Sequence, residues 1–236
     1  MTEKRPMQSA ALLRLLHLVS PALPIGAFAY SRGLESAVEL EWVTDAQSCE
    51  DWIVSQLEDG IGRLDLPIFM RLYLSWQSRH GLHSDTDKNH IQRIHYWARY
   101  LLACRESKEL HLEEQQLGQT MVRLLESLEF KGDFATFNYS YTCQFSFACQ
   151  QWNIPLEEST HGFIWSWLEN QVTAASKIIP LGQTDAQKIL VNITQLVPAI
   201  IQIAFKLKDH EIGSNLAGLA IASQIHETQY SRLFRS

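Results

Sequence analysis

Apolar side chains recur three and four residues apart along almost the whole chain, and no convincing run of strict apolar–polar alternation or Asn-Gly hairpin signal interrupts them. This periodicity predicts an all-α protein in which each helix turns one apolar stripe inward. With 236 residues, 46% of them hydrophobic, the chain can bury one large core. The expected architecture is a single-domain multi-helix bundle of about nine or ten helices, with no internal repeat or low-complexity tract.

Breakers and capping pairs divide the pattern. A first helix from about Ser9 to Val19 stops before Pro21 and Pro24. A second spans about Gly26 to Leu40 and carries Gly33 in its middle, where glycine costs ~1 kcal/mol relative to alanine. Gly33 therefore marks either a tight intramolecular helix crossing or an interface. Thr44 with Gln47 reads as a capping box for a third helix reaching Asp59, and Asp65 before Pro67 opens a fourth with Ile68, Phe69, Leu72, Tyr73 and Trp76 on one face. The polar run HGLHSDTDKNH, residues 80–90, reads as an exposed loop. Helical pattern resumes over 89–128, broken or kinked near Ser107, and again over 138–151. Pro155 opens a long helix that Pro180 and Gly182 end. Thr184 with Gln187 caps the next, whose stripe of Ala186, Ile189, Leu190, Ile193, Val197, Ile200, Ala204 and Leu207 is bent or interrupted at Pro198. A last helix from about Glu211 to Ile225 sets Gly213, Ala217 and Ala220 on one side, where another backbone could approach closely.

Several function classes are excluded. Against 26 acidic side chains stand 20 basic ones, a net charge of −6, and no block of lysine or arginine forms the patch that nucleic acid requires. The most apolar stretch, residues 196–205, falls short of the ~20 residues that span a bilayer. Arg14 and His17 interrupt the opening apolar run, and no clear cleavage site follows it, so no export signal is expected. Cys49, Cys104, Cys143 and Cys149 lack framework spacing and read as reduced core residues of a cytoplasmic protein. There is no phosphate loop, G-x-S-x-G elbow, H-E-x-x-H pair or Cys/His zinc spacing. His80, His83, His90 and His95 are the densest set of possible metal ligands, but their spacing is irregular and they read as solvated surface groups. No catalytic residue, metal site or cofactor is assigned.

Three segments stand out. In residues 20–39, two prolines and Gly26 precede Tyr30, Ser31, Gly33 and Glu35. In residues 163–183, Ile164, Leu168, Val172, Ala175 and Ile179 form a core face. Ser166, Asn170, Thr173 and Lys177 line the opposite face, with Trp165 and Trp167 at its borders and Glu169 and Gln183 in the same segment. A polar stripe bordered by aromatics suits a contact surface, as it also suits a solvated face. The end, residues 226–236, interleaves Tyr230, Leu233 and Phe234 with Ser231, Arg232 and Arg235. This mix of aromatics and arginine typifies binding hot spots.

The stretches SPALPIGAFAYSRGLE, WSWLENQVTAASKIIPLGQ and QYSRLFRS, with RESKEL at 105–110 between them, resemble in order and placement the motifs of the UreF family of urease accessory proteins. The resemblance spans essentially the whole chain. It implies one α-helical domain over 1–236, with the segments 1–25 and 226–236 serving as partner-binding extensions. It further implies a non-catalytic chaperone that dimerises and joins UreD (also called UreH) and the GTPase UreG on apo-urease. There GTP hydrolysis is coupled to nickel insertion, with UreE as nickel donor. Carried over by motif, Tyr30 and Glu35 match the first segment, Lys177 and Gln183 the second, Arg232 and Arg235 the third. Arg32, where glutamine is common in the family, and the apolar pair Ile178-Ile179 depart from the pattern.

Overall fold

The computed structural model describes residues 7–78 and 86–236, residues 86–88 by backbone alone. Every regular element among the described residues is helical: α1 (Ser9–Leu18), α2 (Leu34–Glu39), α3 (Ala46–Ser55), α4 (Leu66–Gln77), α5 (Thr86–Ala103), α6 (Lys108–Ser127), α7 (Tyr141–Gln151), α8 (Leu156–Ile178), α9 (Gln183–Thr194), α10 (Val197–Lys206) and α11 (Ala217–His226). The loop expected at 80–90 lies largely outside the described residues, and α5 already covers its last part.

Helix α4 is the axis of the core, packed by α5, α7, α8 and α10. Its predicted face is buried throughout: Ile68, Phe69, Leu72, Tyr73 and Trp76. Each such side chain contributes roughly 1.5–3 kcal/mol by leaving water. Trp76 meets Phe147 edge-on at 4.9 Å and Phe137 at 5.4 Å, while Phe69 lies 5.2 Å from Phe163 of α8. Helix α7 is buried from Thr142 to Gln150, and its polar side chains bond locally: Ser146 Oγ donates to the Cys143 carbonyl at 2.7 Å and Gln144 Nε2 to the Phe134 carbonyl at 2.8 Å. Cys49, Cys143 and Cys149 are buried free thiols, as the sequence suggests, and Cys104 is half-buried.

Several expected boundaries move. The second helix does not form as one piece: a short turn over Ala27–Ala29 gives way to extended backbone at Tyr30, and Gly33, at φ 76°, stands before α2 rather than inside a helix. A Cβ on Gly33 would also sit 3.3 Å from the Ser223 amide nitrogen of α11, so the crossing it allows is intramolecular. Helix α3 is capped one residue later than expected. The Asp45 carboxylate accepts from the Ser48 amide at 2.9 Å and Ser48 Oγ from the Asp45 amide at 3.1 Å. Asp65 caps nothing: a π-helical segment, Gln56–Asp65, joins α3 to α4 in one rod, and the buried Asp65 carboxylate is held by Arg105. Gly182, not Thr184, precedes α9, and no side chain caps it.

Pro198 does interrupt the apolar stripe, sitting in the first turn of the new helix α10 where its missing N–H costs nothing. By length and composition the run Gln183–Lys206 could cross a bilayer, yet Ile189, Leu190, Ile193, Val197, Ile200, Ile201 and Ala204 along it are buried in the protein core. The last helix starts only at Ala217. Arg71 pins the preceding segment, donating to the Leu207 carbonyl and pairing with Asp209 at the start of a 3-10 turn over Asp209–Glu211, and Gly213 donates its N–H to the Arg63 carbonyl at 3.2 Å. Gly213, Ala217 and Ala220 therefore share no helix face.

Candidate functional site

The sequence's three distinctive segments meet at one corner. The tail runs beside the extended residues 29–31. Arg235 N–H donates to the Ala29 carbonyl at 2.8 Å, and the amide and hydroxyl of Ser31 donate to the Ser236 carbonyl at 2.7 and 2.5 Å. From α8, Asn170 Nδ2 donates to the Tyr30 carbonyl at 3.0 Å, and Lys177 Nζ lies 5.6 Å from the centre of the Phe234 ring. Two successive left-handed residues, Arg32 (φ 52°) and Gly33, turn the chain from this pairing into α2. Tyr30 OH donates to Gln116 Oε1 at 2.7 Å, and burial raises its phenol pKa while the bond from Arg235 opposes the rise.

A row of carboxylates on α2 and α6 carries the tail from below. Glu35 accepts the Leu233 amide at 2.6 Å and the Phe234 amide at 2.9 Å. Its Oε2 is 3.1 Å from His226 Nε2, and His226 Nδ1 is 2.7 Å from Glu109 Oε2. Both ring nitrogens of His226 thus face a carboxylate. Glu109 also takes Arg232 at 2.8 Å. One turn further along α6, Glu113 accepts from Ser236 Oγ at 3.3 Å. Arg32 Nε lies 3.4 Å from Glu113 Oε1 but is not aligned to donate, so that contact is one of charge alone. Burial pushes the Glu113 carboxyl pKa above its ordinary range, against the pull of Arg32 and Arg105. Beside it Arg105 forks onto Asp65 at 2.6 and 3.2 Å and reaches Glu114 at 2.9 Å, while Glu114 also accepts from Ser140 Oγ and the Thr142 amide. Burial disfavours the charge on Arg105, and the two acidic partners outweigh that and raise its pKa further.

Of the residues picked from sequence, Tyr30, Ser31, Gly33, Glu35, Asn170, Lys177, Arg232, Phe234 and Arg235 build this corner. Glu169 borders a recess between α8 and residues 18–28; burial raises its carboxyl pKa, which a bond from Trp165 opposes. Gln183 is exposed at the start of α9. The tail is not the free extension expected: Phe234 and Ser236 are buried, while Tyr230, fully exposed, Ser231 and Leu233, at 61%, face outward. Nor do the described residues of 1–25 hang free, since Leu18, Leu23 and Ile25 are buried and α1 crosses α8 at Gly162.

Sequence reasoning missed Asp65, Glu109, Glu113, Glu114, Gln116 and His226. The signal was present in α6, where 109, 113 and 116 fall on one helical face; of these only Glu109 lies within the RESKEL stretch, which does not single it out. Among the described residues no group of three or more His, Cys, Asp or Glu is arranged to hold a metal ion. His95 bonds the Tyr139 hydroxyl at 2.9 Å and its pKa is lowered by burial, while His80 and His83 lie outside the described residues.

The fold and its corner define an all-helical scaffold in which a buried ionic network fixes a small apolar and aromatic surface. The UreF family model matches residues 43–194. The urease accessory protein UreF of Teredinibacter turnerae is 45% identical over 227 residues, 95% of this chain and 98% of its own length. Those of Alkalilimnicola ehrlichii and Chromohalobacter salexigens are 40% and 44% identical, covering 100% and 96% of this chain and 99% and 95% of their own. The chain belongs to the UreF family of urease accessory proteins.

Proposed function

We propose that this chain is a non-catalytic cytoplasmic adaptor for assembly of the urease nickel centre, acting as a homodimer that joins UreD (UreH) and the GTPase UreG on apo-urease. The observation that carries the reading is the locked corner, which holds Tyr230 and Leu233 outward on a backbone fixed by Glu35 and Ser31. A preorganised aromatic and aliphatic pair is what a protein partner can bury without first ordering a free terminus. UreD is assigned to that corner. Lys177, beside the tail on α8, is assigned to tuning GTP turnover by UreG. The homodimer rests on family membership alone, because the small-residue stripe expected to support it does not form.

The test is co-purification from cells expressing a urease operon, with wild-type chain and a Tyr230→Ala/Leu233→Ala variant. UreD should follow the wild type and be lost from the variant, and Lys177→Ala should alter GTP turnover in the assembled complex. The purified chain alone should give no heat with GTP in calorimetry. Equal UreD capture by both chains, or GTP binding by the chain alone, overturns the assignment.

A further inference from the structure

Helix α5 presents a face that the tail corner does not use. Its inner side, Ile94, Trp97, Ala98 and Leu101, is buried. Asn89, Gln92, Arg93, Tyr96, Arg99 and Ala103 are exposed, at the three- and four-residue spacing of one outer face. From residue 89 to residue 104 the sequence holds no Asp or Glu, in a chain whose net charge is −6. The outer face of α5 is therefore a basic strip on an acidic protein. Along it Gln92, His95, Tyr96, Arg99, Tyr100 and Ala103 line a shallow, open recess.

The strip is aromatic and already ordered. Tyr96 is 57% exposed, and its ring meets Trp97 edge-on at 4.9 Å and Tyr100 at 6.0 Å. Arg71 lies over the Trp97 ring at 5.1 Å, and Tyr100 OH donates to the Ile212 carbonyl at 2.9 Å, so this shelf is fixed from behind. Arg63, Arg71, Arg105 and Arg232 each hold a carboxylate. Arg99 holds none among the described residues; it stands beside His95, whose pKa is lowered by burial and further by the Arg99 charge. The recess thus joins a guanidinium without a carboxylate to an aromatic floor.

We propose that the outer face of α5 docks an acidic segment of a protein partner, with its carboxylates on Arg93 and Arg99 and its remaining groups across Tyr96 and Tyr100. A guanidinium matches a carboxylate with two parallel hydrogen bonds, and tyrosine with arginine is the mix that carries binding energy at protein interfaces. Two arginines are too few to hold a phosphate backbone against a net charge of −6, which sets nucleic acid aside. From Gln92 to Ala103 the face runs ~17 Å at the rise of an α-helix, room for about five residues of extended chain. The proposal rests on α5 alone and not on the tail.

The test places the photoreactive residue p-benzoylphenylalanine at position 96, and separately at position 92, of the full chain in cells expressing a urease operon. Mass spectrometry then reads the crosslinked peptide, with and without Arg93→Glu/Arg99→Glu in the same chain. Crosslinks should fall on one acidic stretch of another protein. Charge reversal should cut their yield about tenfold, and Arg93→Lys/Arg99→Lys should cut it less, with circular dichroism unchanged. If the reversed chain does not fold, Arg99→Gln decides, with a loss of about threefold. No crosslink from either position overturns the proposal, as do crosslinks to a second copy of this chain, to RNA or to a stretch without acidic residues, and a yield that charge reversal leaves unchanged. UreD capture in the same purification reports separately on the tail.

Discussion

The Glu35 carboxylate accepts the Phe234 amide at 2.9 Å across 199 residues of sequence, so the second helix and the tail are two halves of one structural unit. The two classes of tail residue should separate by experiment. Glu35→Ala strands two backbone N–H groups and one face of His226, and should cost about 1–3 kcal/mol with faster proteolysis of residues 230–236. Tyr230→Ala and Leu233→Ala remove exposed side chains and should change stability by less than ~0.5 kcal/mol while weakening UreD capture. Removal of residues 230–236 outright should destabilise as well as disconnect, because Phe234 and Ser236 leave buried positions. Urea midpoints for the four chains check this.

His226 is fully buried between Glu35 and Glu109. His226→Leu keeps the bulk but strands two part-buried carboxylate oxygens, a loss of about 1–3 kcal/mol by the usual cost of leaving a buried polar group without its partner. Chemical denaturation measures it, and a loss below ~1 kcal/mol would mean that Arg232 and the tail amides alone neutralise both groups.

Gly118 on α6 faces the chain entering α7. A Cβ there would stand 2.6 Å from the Asn138 carbonyl oxygen and 2.8 Å from the Ser140 amide nitrogen. Both are backbone atoms, so Gly118→Ala should destabilise by about 1–3 kcal/mol despite alanine's better helix propensity. It should also loosen the Ser140 hydroxyl that Glu114 holds. A thermal midpoint at or above wild type would refute this.

Alkaline pH should unfold the protein through its thiols. Burial raises Cys49 from 9.0 to about 11, with Glu50 and Asp45 adding, and raises Cys149 to about 12 against a bond from Ser159. A folded-state pKa above the unfolded value gives stability that is whole below pH 9 and lost as pH climbs toward the folded value. For Cys49 the loss is on the order of 2–3 kcal/mol between pH 9 and 11. Urea midpoints against pH should fall across that window, and Cys49→Ala should flatten the slope. Tyr73, raised by burial from 10.0 to about 12, adds its own loss between about pH 10 and 12.

The helices were legible where packing follows period. Ile68 through Trp76 and Ile164 through Ile179 keep the faces that spacing predicts, because burial of one stripe decides both pattern and structure. Boundaries slipped where a distant partner outweighed local signal. Asp65 has the look of a cap but answers to Arg105, and Gly33 has the look of a mid-helix defect but turns the chain into α2 and lets α11 pass close. The corner was half legible: aromatic and arginine side chains at 230–235 announced a contact, yet nothing local could say that the contact is with the protein's own Glu35 and Glu109. Contacts 117 to 199 residues apart leave no periodic trace.

The π-helical stretch Gln56–Asp65 makes chain length there a structural quantity. Each residue of an α-helix advances the side chains by about 100°, so adding or removing a residue here without a compensating change of winding would rotate the far end of the rod. Phe69, Leu72 and Trp76 would then point away from α7 and α8, and Asp65 away from Arg105. Substitutions in the stretch are absorbed side chain by side chain, whereas an insertion or deletion would re-aim the central helix as a whole.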